Sequence, residues 1–380
     1  MSTRSGLRSD MKEFGTELPE SVDSTLDRKT RGFFSPLTLR ICHPNSFLSP
    51  YDVMNSNLSR RRAIGLLGLG AAAIGLEPRA DAAPLQDRSN PRYYRFSVGD
   101  FQLTVFNDGY RIFQPVQPFW ASEANPDELN SALEAAFLPT DHVMGYYNVV
   151  LIDTGKDRLL CDTGFGKLLP ATAGHLVSQL AVAGYRPNQI TGVFLSHAHP
   201  DHIGGLIGTD NKSVFPSAQH FINEIEWNFW TQKDPDLSKT LLNDQDRKTY
   251  TQRARDTLLA LESRFHKFQA GNQLIEGVTT ELAPGHTAGH TILHIQSGHD
   301  ELVHIVDLAH NYVIMFHNPD WTIGVDSDPD LAASTRKSVF EKLAAARTRV
   351  IGFHLPFPGV GHIRKKDQGF EWVPEAWRQV

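Results

Sequence analysis

The segment Leu195-Ser196-His197-Ala198-His199-Pro200-Asp201-His202 carries more chemistry than any other stretch of the chain. Three imidazoles and one carboxylate fall within six positions, directly after the apolar run Val193 to Ser196. A loop leaving a buried strand can fold such side chains inward onto one point. Nitrogen and oxygen donors in that combination suit zinc and other borderline divalent cations. The opposing reading is a polar loop with surface histidines. It does not explain why the cluster follows a core-like strand and precedes Gly204-Gly205. Nor does it explain why further candidates recur in the same setting.

Those candidates are His286, Asp307 and His354. His286 lies in the turn-rich Ala283-Pro284-Gly285-His286-Thr287-Ala288-Gly289-His290, Asp307 ends the apolar run Leu302 to Val306, and His354 ends the run Val350 to Phe353. Singly, each reads as a capping or surface residue. Together with the first cluster they form a ligand set delivered to one rim by rigid strands, which preorganises a metal site. The only cysteines are Cys42 and Cys161, so there is neither a disulfide framework nor a thiolate cluster, and any metal must be held by nitrogen and oxygen.

The elements that position these residues begin near Tyr93. Tyr93 to Val98 and Phe101 to Phe106 alternate around Gly99-Asp100, a hairpin signal. A second hairpin joins Tyr146 to Ile152 with Arg158 to Cys161. Helices are expected from Pro126 to Phe137, capped by Asn125, from Leu176 to Ala183, and from Leu331 to Ala346. A mostly helical insert runs from Asn223 to Phe265. Further strands are expected from Gly277 to Leu282, Thr291 to Gln296, Glu301 to Val306 and Arg349 to Phe353. Strand-rich stretches separated by helices predict a layered α/β domain.

The 380 residues are enough for one large domain or two modest ones, and the apolar, aromatic and charged shares of 40, 10 and 21% are those of a soluble globular protein. A net charge of -6 and a pI near 6.3 argue against a nucleic-acid or anionic-membrane partner. Residues 1–53 show no sustained apolar period and read as a disordered extension or a product of start-site choice. Residues 54–83 read as an export signal: Arg60-Arg61-Arg62, the apolar run Ala63 to Leu76, then Ala80-Asp81-Ala82 before Ala83. The run is too short to span a bilayer, and the paired arginines resemble a twin-arginine signal. The expectation is a periplasmic or secreted protein with no stable membrane insertion after cleavage, or a cytoplasmic one if the signal is not used. A short core helix with a basic flank is the alternative.

The motifs HAHPDH and PGHTAGH, with the strand-end Asp307 and His354, resemble the metal-binding motifs of the metallo-β-lactamase superfamily, in order and at similar spacing. The resemblance covers residue 93 onward, and the domain is assigned to residues 84–380. Met144-Gly145-Tyr146-Tyr147-Asn148, Leu160-Cys161-Asp162-Thr163-Gly164 and His354 to Arg364 are most similar to the branch containing methyl parathion hydrolase and the N-acyl homoserine lactonases. The resemblance implies a four-layer αββα sandwich. It implies one cation on His197, His199 and His286, a second on Asp201, His202 and His354, and Asp307 between the two. Zinc is the first expectation, with manganese, cobalt or iron as alternatives. Asp201 would carry a proton to the leaving group, Asp162 would orient a ligand histidine, and His310 would support Asp307. The branch also implies a homodimer.

The implied reaction is attack by hydroxide on a small-molecule lactone, ester or organophosphate triester. The absence of a Cys ligand separates the chain from zinc β-lactamases that use one, and His199 stands where flavodiiron proteins have Glu. Tyr146, Tyr147, Trp227, Trp230 and Phe316 are expected to line an apolar pocket, with core packing as their alternative. His290, His294, His304, His317 and His362 are expected to be surface or core histidines. The alternative activity is a mononuclear iron oxidoreductase of the persulfide dioxygenase type. A non-catalytic binding module is a third reading.

Overall fold

A computed structural model describes residues 90–169 and 171–376. The extension at 1–53 and the export signal at 54–83 lie outside the described residues, as does Cys42. Among the described residues no helix is long and apolar enough to cross a membrane.

The chain forms two seven-stranded sheets, each with its strands in sequence order. The first contains β1 (Tyr93–Val98), β2 (Phe101–Phe113), β3 (Val143–Asp153), β4 (Arg158–Cys161), β5 (Gly192–Leu195), β6 (Gln219–Asn223) and β7 (Phe265–Phe268). The second contains β8 (Gln273–Ile275), β9 (Val278–Leu282), β10 (Thr291–Ser297), β11 (Asp300–Val306), β12 (Arg349–Gly352), β13 (Val360–Lys366) and β14 (Gly369–Pro374). The helices are α1 (Pro126–Ala135), α2 (Leu176–Val182), the single turn α3 (Pro200–Ile203), α4 (Glu224–Thr231), α5 (Asp244–Ala260), the single turn α6 (Ile314–His317) and α7 (Pro329–Ala346).

Alternation along each strand sends side chains to opposite faces and so creates three cores. Leu103, Val150 and Phe194 of the first sheet meet Val278, Leu293 and Ile351 of the second between the sheets. Outside the first sheet, Val149 and Val193 pack with Leu180 of α2, Trp230 of α4 and Leu258 of α5. Outside the second, Val303 and Val350 pack with Leu133 of α1 and with Phe340 and Leu343 of α7. The result is the expected helix–sheet–sheet–helix sandwich.

Strand direction decides where loops emerge. β4, β5, β6 and β7 are mutually parallel, and their connections carry α2 to α5, because a parallel crossover needs more chain than a hairpin. Their carboxyl ends therefore share one rim. In the second sheet β9 and β11 each run antiparallel to β10, while β11 and β12 are parallel. The chain thus leaves β9, β11 and β12 at a common edge, just before His286, Asp307 and His354.

Both expected hairpins form, with β2 and β3 longer than their apolar alternation indicates. Unpredicted strands are those with weak patterns. β6 reads Gln-His-Phe-Ile-Asn, and β13 ends in the exposed Arg364-Lys365-Lys366.

Candidate metal centre

Backbone geometry at the strand ends turns the functional side chains inward. Val306 has φ +48°, uncommon for a β-branched residue, and the register between β11 and β12 shifts there. Asp307 is thereby swung out of the strand. Asp162, just past β4, has φ +65°. His199 is an extended N-cap residue with Pro200 at the first helical position, so α3 places Asp201 and His202 side by side.

The structure brings all seven expected ligands together. Asp307 Oδ2 has the Nε2 atoms of His354, His202, His286 and His197 at 3.0, 3.2, 3.3 and 3.6 Å. Asp201 Oδ2 lies 3.4 Å from His202 Nε2 and 3.5 Å from His354 Nε2, and the Nε2 atoms of His197 and His286 are 3.2 Å apart. Potential ligand atoms converge in two groups, each within 4.8 Å: His197, His199, His286, and Asp201, His202, Asp307, His354. A third group overlaps them through His286, Asp307 and His310.

These residues fit a pair of divalent cations. One carboxylate oxygen has two lone pairs, too few for the five imidazole nitrogens crowded around it once His310 Nε2 at 3.2 Å is included. Asp307 Oδ1 and His202 Nε2 are buried with no hydrogen-bond partner, a costly arrangement unless a ligand completes them. The donor set is nitrogen and oxygen throughout.

Burial, reinforced by neighbouring imidazoles, holds His197 and His199 well below the ordinary histidine value, so both present the neutral, ligating form. Burial acts the same way on His202 and His286 but is outweighed. Asp307, Asp201 and Asp162 raise His202 well above normal, and Asp307 with Asp326 raises His286 to about 9. For Asp307, burial pushes upward, yet the His202 and His354 imidazoles hold its carboxyl well below the usual range. Cations entering the cluster would displace the protons held by His202 and His286.

A shell of hydrogen bonds fixes the rings. His202 Nδ1 meets Asp162 Oδ2 at 2.9 Å, as expected of Asp162, which also accepts from the Ser196 N–H and hydroxyl at 2.9 and 2.8 Å. His354 Nδ1 donates to the Tyr146 carbonyl at 2.8 Å, and His286 Nδ1 meets Asp326 Oδ1 at 2.7 Å. His310 does lie against Asp307, and its ring stacks on His354 with centroids 4.8 Å apart. His290 is a structural histidine: its Nδ1 donates to the Ala283 carbonyl and its Nε2 accepts from the Asp307 N–H.

The expected pocket residues divide. The Tyr147 ring is 5.5 Å from that of His354, and the Trp230 ring is 5.7 Å from that of His199. Trp227 and Phe316 are corrected to core residues. Trp227 packs on Phe265 and under the Lys267 ammonium, and Phe316 is fully buried against Phe340. Both belong to faces that seal a helix onto a sheet, a core that the fully buried Trp230 shares with Trp227.

Glu226, Tyr250 and Asp326 escaped the sequence reading. Tyr250 of α5 sets its ring 5.7 Å from His199, and the only hint was a lone aromatic in a polar helix. Glu226 lies three residues after the cap Asn223 and reads as an ordinary capping-box acid, although Ile225 and Trp227 flank it. Asp326 carries no local signal.

Residues 143–354 match the model of the Metallo-beta-lactamase superfamily. No curated protein matches the chain. Among solved structures, the chain is similar to AidC, a dizinc quorum-quenching lactonase in complex with a product, N-hexanoyl-L-homoserine. They share 34% identity over 76% of this chain and 98% of that one, with a TM-score of 0.73. It is also similar to the hydrolase AbOPH of the beta lactamase superfamily, at 26% identity over 77% of this chain and 100% of that one, TM-score 0.70. A probable metal-dependent hydrolase from Staphylococcus aureus, 18% identical over 75% of this chain and 100% of that one, TM-score 0.59, shares the fold.

Proposed function

The chain belongs to the metallo-β-lactamase superfamily, and from that premise we propose that it is a dinuclear metal-dependent hydrolase that opens lactones. Esters and organophosphate triesters fall to the same machinery. The observation that carries the reading is the convergence of two ligand groups on Asp307, with its Oδ1 and the His202 Nε2 left unpaired in a buried site. The similarity to AidC, a lactonase, supports a lactone as the first substrate to test.

His197, His199 and His286 would hold one cation and Asp201, His202 and His354 the other, with Asp307 between them. When bound, such a pair lowers the pKa of water toward neutrality and stabilises negative charge developing on an attacked carbonyl or phosphoryl oxygen. The chain supplies the rest. Asp162, Asp326 and the Tyr146 carbonyl fix three rings so that each Nε2 faces inward. Tyr147, Trp230 and Tyr250 wall the loop ligands with apolar surface and exclude bulk water. Asp201 is 16% exposed against 2% for Asp307, so it is the ligand-set carboxylate within reach of a leaving oxygen; its Oδ2 faces the His202 and His354 nitrogens, and its other oxygen would carry the proton there.

The test is elemental analysis of purified protein beside hydrolysis of N-hexanoyl homoserine lactone, an aryl ester and an aryl phosphotriester. About two equivalents of zinc, manganese or cobalt with chelator-sensitive lactone opening are expected. A single iron with oxygen consumption and no hydrolysis would overturn the proposal.

A further inference from the structure

Glu226 of α4 is fully buried, and both of its carboxylate oxygens are engaged. Oε1 accepts from the Ala198 N–H at 2.9 Å and from Trp230 Nε1–H at 2.6 Å. Oε2 accepts from the Thr287 hydroxyl at 2.7 Å and from the Gly289 N–H at 2.8 Å. Ala198 lies between His197 and His199, and Thr287 follows His286. One side chain therefore grips both loops that carry the nitrogen ligands of the first cluster, across sequence separations of 28, 61 and 63 residues.

The approach is as close as backbone allows. A Cβ at position 289 would fall 2.3 Å from Glu226 N, so glycine lets the loop touch the helix. Packing alone would ask only for an apolar residue here, and a buried carboxylate is costly unless donors surround it. All four partners are donors, and an ionised carboxylate offers acceptors only. The polar contact is thus specific for Glu, and its partners are specific to the ligand loops.

We propose that Glu226 is a positioning residue that sets the spacing of His197, His199 and His286, so that this cluster's hold on its cation is tuned separately from that of the Asp201–His202–Asp307–His354 cluster. The inference rests on the dinuclear reading above. Glu226→Gln keeps the volume but turns an amide N–H₂ toward at least one backbone or indole N–H, whichever way the amide is flipped. Thr287→Val removes one of the two donors to Oε2, while Thr287→Ser keeps it.

The experiment is zinc binding by chelator competition, fitted to two sites, on wild type and the three variants. It is paired with amide exchange at Ala198 and Gly289 in metal-stripped protein. Glu226→Gln is expected to weaken one site about 10- to 100-fold and leave the other within about twofold. Thr287→Val should fall between that variant and wild type, and Thr287→Ser should match wild type. Faster exchange at Ala198 and Gly289 in Glu226→Gln should accompany the loss. Unchanged constants in Glu226→Gln, or equal weakening of both sites, would overturn the proposal. Failure of the hydrolase reading shows separately, as wild-type protein that hydrolyses nothing, and the exchange data still judge Glu226.

Discussion

Replacing Asp162 with Asn tests how the centre controls its imidazoles. In the native protein Oδ1 takes the Ser196 N–H, and Oδ2 takes the Ser196 hydroxyl and His202 Nδ1–H, at 2.8 to 2.9 Å. Asn keeps the first bond but points an N–H₂ at His202 Nδ1. To avoid two opposed donors, the ring must give up its Nδ1 proton and keep one on Nε2, the atom facing Asp201 and Asp307. A cation then has to displace that proton and restore the poorer tautomer. Loss of such a supporting carboxylate costs about 10- to 100-fold in metal affinity, or about 1.4–2.7 kcal/mol at roughly 1.36 kcal/mol per tenfold. The loss should fall on the cluster containing His202. Chelator competition with zinc at fixed pH, fitted to two sites, reads it directly. Asp162→Asn protein whose two constants both stay within about twofold of wild type would refute the tautomer argument.

Two further outcomes follow from the fold. Because Val306 sits at φ +48°, Val306→Gly should be more stable than Val306→Ala by about 0.5–1 kcal/mol, the reverse of the usual order in a strand. Urea midpoints of the two variants decide it, and Ala above Gly would show that the site carries no strain. His220 is buried with both ring nitrogens unpaired, and burial with nearby Arg264 lowers it to about 4. A depressed histidine contributes stability above its unfolded value of about 6.5 that is lost as pH falls toward 4. His220→Leu should therefore gain on wild type by about 2–3 kcal/mol between pH 7.5 and 4.5. Denaturant titrations at the two pH values, with metal removed, would show no differential if the ring is not held neutral.

The ligand set was legible in the sequence because each of its loops opens where an apolar run stops. His197, His286, Asp307 and His354 all mark the carboxyl ends of strands, and parallel direction carries those ends to one rim. Supporting residues were less legible, since their meaning lies in distant partners. Asp326 acts on His286 from 40 residues away, and Glu226 acts on loops before and after it, yet each reads locally as a solvated acid. Asp162 is the exception, recognised only through the family resemblance. Aromatic residues misled for a related reason. Trp227 and Trp230 lie one turn apart on α4, and composition does not say which packs on Phe265 and which reaches His199. Strand β13 was missed because its second half, Arg364 to Lys366, is charged and exposed.

The sequential order of the two sheets has a consequence for how the molecule is assembled. Everything in the first sheet precedes the turn at 269–272, and everything in the second follows it. His197, His199, Asp201 and His202 belong to the first half of the domain, and His286, Asp307 and His354 to the second. Cys161, the cysteine among the described residues, is free and buried, so no covalent bridge joins the halves. Bound cations would act as rivets between them. Severed at that turn, the domain becomes a pair of fragments held by the core between the sheets, with a mutual affinity that free metal raises. It should strengthen by about 4 kcal/mol when metal exceeds its dissociation constant about a thousandfold.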